Sequence, residues 1–194
     1  MGQPGKQTDG RRQRSEASRE RIVQAMLALI GTGDVTPSAE AVAARAKVGL
    51  RTVFRHFDNM ESLYQEISAA MAAEIRPVAE RPFEAKDWRG RIREMIERRS
   101  HIFERIMPFK IAADVHRHQS PFVQNQGAEF VRLQRAALTR ILPEAKRENA
   151  TLVESLDLLL SFETWRRLRK DQKLSAARAR QVLETLTEAL LDAK

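Results

Sequence analysis

Apolar positions recur along most of this chain at intervals of three and four residues, the period at which one face of an α-helix returns to the same side. Ile22, Ala25, Met26, Leu29 and Ile30 form the first such stripe, which Gly31 and Gly33 end. Thr36 as N-cap, with Pro37 at the first helical position, predicts a short second helix carrying Ala39, Val42, Ala43 and Ala46. Beyond Lys47-Val48-Gly49 the pattern resumes with Leu50, Val53, Phe54 and Phe57. Asp58-Asn59 offers a cap for a fourth helix, whose stripe of Leu63, Ile67, Ala70 and Met71 runs as far as Ile75.

The stretch Arg76 to Lys86 holds Pro77 and Pro82 and no clean period, which places a domain boundary there. Trp88, Ile92, Met95, Ile96, Ile102, Phe103 and Ile106 mark a fifth helix that Pro108 is expected to end, and Phe109 to Arg117 a sixth. Ser120 caps a seventh that reaches Leu142. An eighth is predicted over Asn149 to Lys170 and a ninth over Ser175 to Leu191. With no valine-rich alternating run to compete, the fold class is all-α, with about nine helices. The expected divisions are a disordered basic arm at 1–15, an N-terminal module at 16–76 and a C-terminal helical bundle at 77–194.

Composition fits a globular chain: 42% of the 194 residues are apolar, enough for a core. The net charge of +8 favours a polyanionic partner. That excess sits at the front, where residues 1–56 carry 10 Lys and Arg against 5 Asp and Glu. No cysteine occurs, which excludes a disulfide framework or a thiolate nucleophile. No run approaches membrane-spanning length and no apolar leader opens the sequence, so a soluble cytoplasmic protein is expected. His116 and His118, two residues apart, point to different helix faces, and with His101 they suggest no metal site. No grouping of nucleophile and base and no phosphate-cradling glycine loop is present, so neither a cofactor nor an enzyme is expected.

Two short helices joined by a tight turn, at Thr36 to Phe57, are the pattern of a helix-turn-helix, whose second helix enters the major groove of duplex DNA. Val42, Ala43, Ala46, Val48 and Val53 can hold the pair together, leaving Arg51, Thr52, Arg55 and His56 to face outward. The segment TPSAEAVAARAKVGLRTVFRHFDNMESLY, with RERIVQAMLALI before it, resembles the DNA-binding module of the tetracycline-repressor (TetR) family over Arg19 to Ile67. Ala46, Val48, Thr52, Val53, Phe54, His56 and Phe57 fill that family's pattern. The resemblance implies a homodimeric regulator, more often a repressor, on a pseudo-palindromic operator, released by a small-molecule effector held in the C-terminal domain. It implies Arg51, Thr52 and Arg55 as base or phosphate readers, Phe54 and His56 as backbone positioners, and Thr36 with Ser38 as donors at a helix N-terminus. Arg11, Arg12 and Arg14 could extend the contact as a minor-groove arm. The sequence departs from the family at Lys47, where glycine is usual, at Gly49, where a serine cap is usual, at Phe54, usually tyrosine, and at Met60, usually lysine.

Trp88, Phe103, Met107, Phe109, Phe122, Phe130, Phe162 and Trp165 are the candidates to line an apolar effector pocket, against the plainer reading as core. The stripes of helices eight and nine, 149–191, are the candidate dimer interface. The alternative function is a helical binder of apolar ligands or partners whose DNA-binding module is unused.

Overall fold

The computed structural model describes residues 6–118 and 120–192. The helices are α1 (Lys6–Gly31), α2 (Ala39–Ala46), α3 (Leu50–His56), α4 (Met60–Ala79) and α5 (Trp88–His116). There follow α6 (Pro121–Ile141), α7 (Glu144–Arg147), α8 (Ala150–Leu159), α9 (Phe162–Arg166) with a π-helical turn at Arg167–Asp171, and α10 (Ala176–Asp192). Among the described residues there is no strand, as expected of an all-α chain. No helix is long and apolar enough to cross a membrane.

Two compact units emerge, one reaching Ala73 and resuming at Pro108–Val123, the other formed by Glu74–Met107 and the chain from Gln124 onward. The first is built on the predicted stripes: Ile22, Met26 and Ile30 of α1 pack with Val42 and Ala46 of α2, Val53 of α3, and Leu63 and Ile67 of α4. Complete burial contributes about 1.5–3 kcal/mol for each of these side chains other than alanine. In the second unit Ile92, Ile96, Leu138, Leu156, Leu160, Phe162 and Trp165 are almost wholly buried.

Several boundaries differ from the periodicity. Residues 6–15, expected to be disordered, continue α1 as helix, although residues 11–15 are all exposed; Met1 to Gly5 lie outside the described residues. Local bonds support this extension, with Arg12 paired to Glu16 at 3.1 Å and Arg14 Nε donating to the Gly10 carbonyl at 2.9 Å. Thr36 is not the cap of α2. Ser38 is, its Oγ accepting from Ala41 N–H at 3.2 Å, while Pro37 is buried before it. The expected caps at Asn59 and Ser120 each accept a first-turn N–H, from Ser62 and Val123, and Asn149 at the start of α8 does the same for Leu152.

Pro108 does not end α5, which runs through it to His116, so the separate sixth helix does not exist. A proline deletes one N–H, here the donor to the Glu104 carbonyl, and the packing on either side outweighs that loss. Met107 is buried in the second unit, and Ala112 and Phe109 pack into the core of the first. Conversely, the single helix expected over Asn149 to Lys170 breaks at Leu160 and Ser161. The buried Arg99 guanidinium donates from Nη1 to the Leu160 carbonyl at 2.9 Å and from Nη2 to the Gln134 carbonyl at 2.6 Å. It thereby satisfies an acceptor at the end of α8. Ser161 then caps α9 through Thr164 N–H at 3.1 Å. Burial pushes the Arg99 guanidinium down to about 10, partly opposed by Asp157.

Candidate nucleic-acid interface

The turn between α2 and α3 is a Schellman turn built on a lysine. Lys47 sits in the left-handed region at φ 55° and ψ 47°, and its N–H donates to the Ala44 carbonyl at 3.2 Å. Val48 N–H reaches back to the Ala43 carbonyl at 3.1 Å, and its side chain packs against the core that holds Ala43. The left-handed conformation costs an L-residue about 1–2 kcal/mol, which glycine avoids. Gly49, by contrast, is the N-cap of α3 with an ordinary φ of −71° and no side-chain cap bond. Its carbonyl accepts from Thr52 N–H at 2.8 Å, which starts the helix.

Within α3 only Val53 is buried, and Phe57 after it completes the anchor. Leu50 and Phe54, whose spacing assigns them to the core stripe, lie outside it, 37% and 47% exposed. Seven residues make two turns, and one buried face of such a helix takes one residue per turn. Arg51 and Arg55 are exposed at i and i+4, so the outer surface of α3 presents two guanidinium groups and two apolar side chains. Thr52 is half-buried at the margin.

His56 is also half-buried, and its Nε2 lies away from solvent with no hydrogen-bond partner. Burial lowers its pKa first, and the nearby Arg55 and Arg19 lower it further, so the neutral imidazole is favoured. Arg19, which no local pattern marks, fixes the end of α3. It pairs with Glu66 of α4 at 2.7 Å, donates to the His56 carbonyl at 3.5 Å and lies 4.8 Å from the centre of the Phe57 ring. Partners 37 and 47 residues away in sequence leave no periodic trace.

At the other end of the module, Thr36 is exposed and its N–H donates to Asp34 Oδ1 at 3.1 Å. The Ser38 hydroxyl serves the cap, and the Glu40 backbone N–H, with Ser38 beside it, holds the Glu40 carboxylate below the usual carboxylate range. Arg21, Arg45 and Lys47 line, with Glu20 and Gln24, an open groove of about 350 Å³ beside the turn. Arg45 and Lys47 are exposed cations that were not among the expected DNA contacts, Lys47 having been marked only as a departure from the family's pattern. Arg11, Arg12 and Arg14 are exposed on the first turns of α1.

The eight aromatic and methionine side chains read as a possible pocket do not form one group. Phe103 stacks edge-on against Phe162 at 5.6 Å between ring centres and against Phe130 at 6.4 Å. Trp165, fully buried, donates from Nε1 to Glu104 Oε1 at 2.8 Å, and Arg169 bonds the same carboxylate at 2.7 and 2.9 Å. Met107 is buried in the same unit. Trp88 is half-buried, with the Arg89 guanidinium 5.1 Å from its ring. Phe109 and Phe122 belong to the first unit.

No family model matches the chain, and no curated protein does. Solved structures do. A transcriptional regulator from Streptomyces coelicolor is similar at TM-score 0.63 and 22% identity, over 88% of this chain and 98% of that one. A TetR-like transcriptional regulator from a Rhodococcus species superposes at TM-score 0.66 and 14% identity, over 91% of this chain and 97% of its own. A third, a TetR-family regulator from Mesorhizobium loti, gives TM-score 0.61 at 19% identity, with 92% and 96% covered. At nearly full length on both sides, this chain therefore has the fold of the TetR-like transcriptional regulators.

Proposed function

We propose that this chain is a sequence-specific DNA-binding transcriptional regulator that reads duplex DNA with α3. The observation that carries the reading is the surface of that helix: Val53 and Phe57 point into the module, while Leu50, Arg51, Phe54 and Arg55 are exposed together. Guanidinium groups suit phosphates and the acceptor edge of guanine, and Phe54 suits the thymine methyl group. Arg45, Lys47 and the three arginines at the start of α1 supply further cations for phosphates. Thr52 sits at the rim of this surface. His56, neutral and turned inward, acts as a packing residue at the end of the helix rather than as a cation on the backbone.

The regulator acts in the cytoplasm as a homodimer through 149–191, on a pseudo-palindromic operator. Leu158 of α8 and Leu186 of α10, 70% and 47% exposed, support this, since large exposed apolar side chains on two helices that pack together are suited to being covered by a second copy. Its action is repression relieved by an effector in the C-terminal unit, where Phe103, Phe130 and Phe162 converge.

Fluorescence anisotropy with the upstream region of the chain's own gene, against random duplex of equal length, tests the reading. Arg51→Ala is expected to weaken the specific complex by about 1–3 kcal/mol, leaving random-duplex binding nearly unchanged. Equal affinity for both duplexes at every salt concentration would refute it.

A further inference from the structure

A cavity of about 190 Å³ lies within the first unit, lined by Met60, Glu61 and Tyr64 of α4, His116 at the end of α5, Ser120 and Val123. It shares no lining residue with α3 or with the cluster of Phe103, Phe130 and Phe162. Its walls combine one carboxylate, two rings and two apolar side chains.

The rings of Tyr64 and His116 stand 5.0 Å apart between centres, tilted by 54°. Glu61 Oε1 accepts from the Ser120 hydroxyl at 2.6 Å, and that hydroxyl accepts in turn from Val123 N–H at 3.2 Å. The serine proton is thereby committed to Glu61. Glu61 enters none of the ion pairs formed among the described residues of its unit, which join Arg12 to Glu16, Arg19 to Glu66 and Arg117 to Asp114. Tyr64 is only 7% exposed, and its hydroxyl is buried with no hydrogen-bond partner. Burial, then the charge of Asp34, pushes the phenol up to about 12, so it stays neutral.

Glu61, in no ion pair with a described residue and beside the π face of Tyr64, favours a cationic solute. An anion would meet the charge of Glu61, and a neutral solute could hydrogen-bond to Glu61 or to the unpartnered Tyr64 hydroxyl but would gain no charge pairing. The volume exceeds the roughly 150 Å³ that holds benzene in an engineered protein cavity, so a body of one small ring fits. We propose that this cavity binds a small organic ammonium ion, its nitrogen at Glu61 and its apolar body against Met60, Val123 and the rings of Tyr64 and His116. The proposal does not depend on whether α3 reads DNA.

Calorimetric titration of the full chain with benzylamine tests it, with benzyl alcohol and benzoate as controls of the same body. The chain's net charge of +8 makes non-specific attraction favour benzoate, so a preference for the amine must be local. Benzylamine is expected to bind at least about tenfold more tightly than either control, and Glu61→Gln to remove about that factor. Tyr64 is the only tyrosine among 194 residues, so its ring protons form one identifiable NMR signal set, which benzylamine is expected to shift in the unmodified protein. Equal binding of amine and alcohol, an unmoved Tyr64 signal at saturating amine, or undiminished binding by folded Glu61→Gln would each overturn the assignment.

Discussion

Lys47 offers a clean test of the turn that sets α3 against α2, through a comparison of Lys47→Gly with Lys47→Ala. Both substitutions remove the same charge and the same exposed side chain, so they differ by one Cβ. At φ 55° that Cβ costs about 1–2 kcal/mol in the folded chain. Glycine loses more backbone freedom on folding than alanine does, which returns about 0.4–1 kcal/mol. The difference leaves Lys47→Gly more stable than Lys47→Ala by about 1 kcal/mol, with Lys47→Ala close to the parent. For a chain of this size that corresponds to a separation of about 2–4 °C in melting temperature. Thermal unfolding followed by far-ultraviolet circular dichroism, at matched protein concentration, measures it. If Lys47→Ala melts at or above Lys47→Gly, position 47 is not left-handed in the folded protein. The Schellman geometry and the start of α3 derived from it would then be wrong.

Two further outcomes are expected. Gly90→Ala, which helix propensity alone would make favourable, places a Cβ 2.7 Å from that of Ala85, whose N–H is held by Glu94 and whose carbonyl is held by Arg91. With that loop pinned, overpacking is expected to destabilise the chain by about 1–2 kcal/mol, read as a lower urea midpoint. His56 predicts a pH dependence: its pKa is depressed in the folded chain, so below about 6.5 the unfolded chain takes up the proton first. Stability is therefore expected to fall as pH drops below about 6.5, until the folded form is protonated as well, and to be insensitive to this group well above it. His56→Asn should flatten that slope in urea titrations, and an unchanged slope would assign it to other groups.

Local rules carried the helix-turn-helix far. The stripe Val42, Ala43 and Ala46 and the anchor Phe57 are all buried, and the caps at Asn59 and Ser120 bond first-turn N–H groups as expected. The exposure of Leu50 was illegible, and that of Phe54 legible only through the resemblance, because apolar character at helical spacing does not distinguish a core face from an exposed one. Pro108 misled because one missing hydrogen bond is a local loss that packing can offset. The break at Leu160 interrupts an unbroken leucine stripe, and what stabilises it is Arg99, 61 residues earlier in the chain. Arg19 and Glu66 illustrate the same limit at the candidate site, where the bond that fixes the end of α3 joins two distant helices.

Both tryptophans of the chain lie in the second unit, and they are unlike. Trp165 is wholly enclosed and bonded to a carboxylate, whereas Trp88 is half-exposed beneath a guanidinium. The protein thus carries its own optical label. Trp165 should emit at short wavelength and resist acrylamide, and Trp88 should be quenched first. Any small molecule that binds beside Trp165 should alter the quencher-resistant emission, which allows unlabelled protein to be screened for ligands.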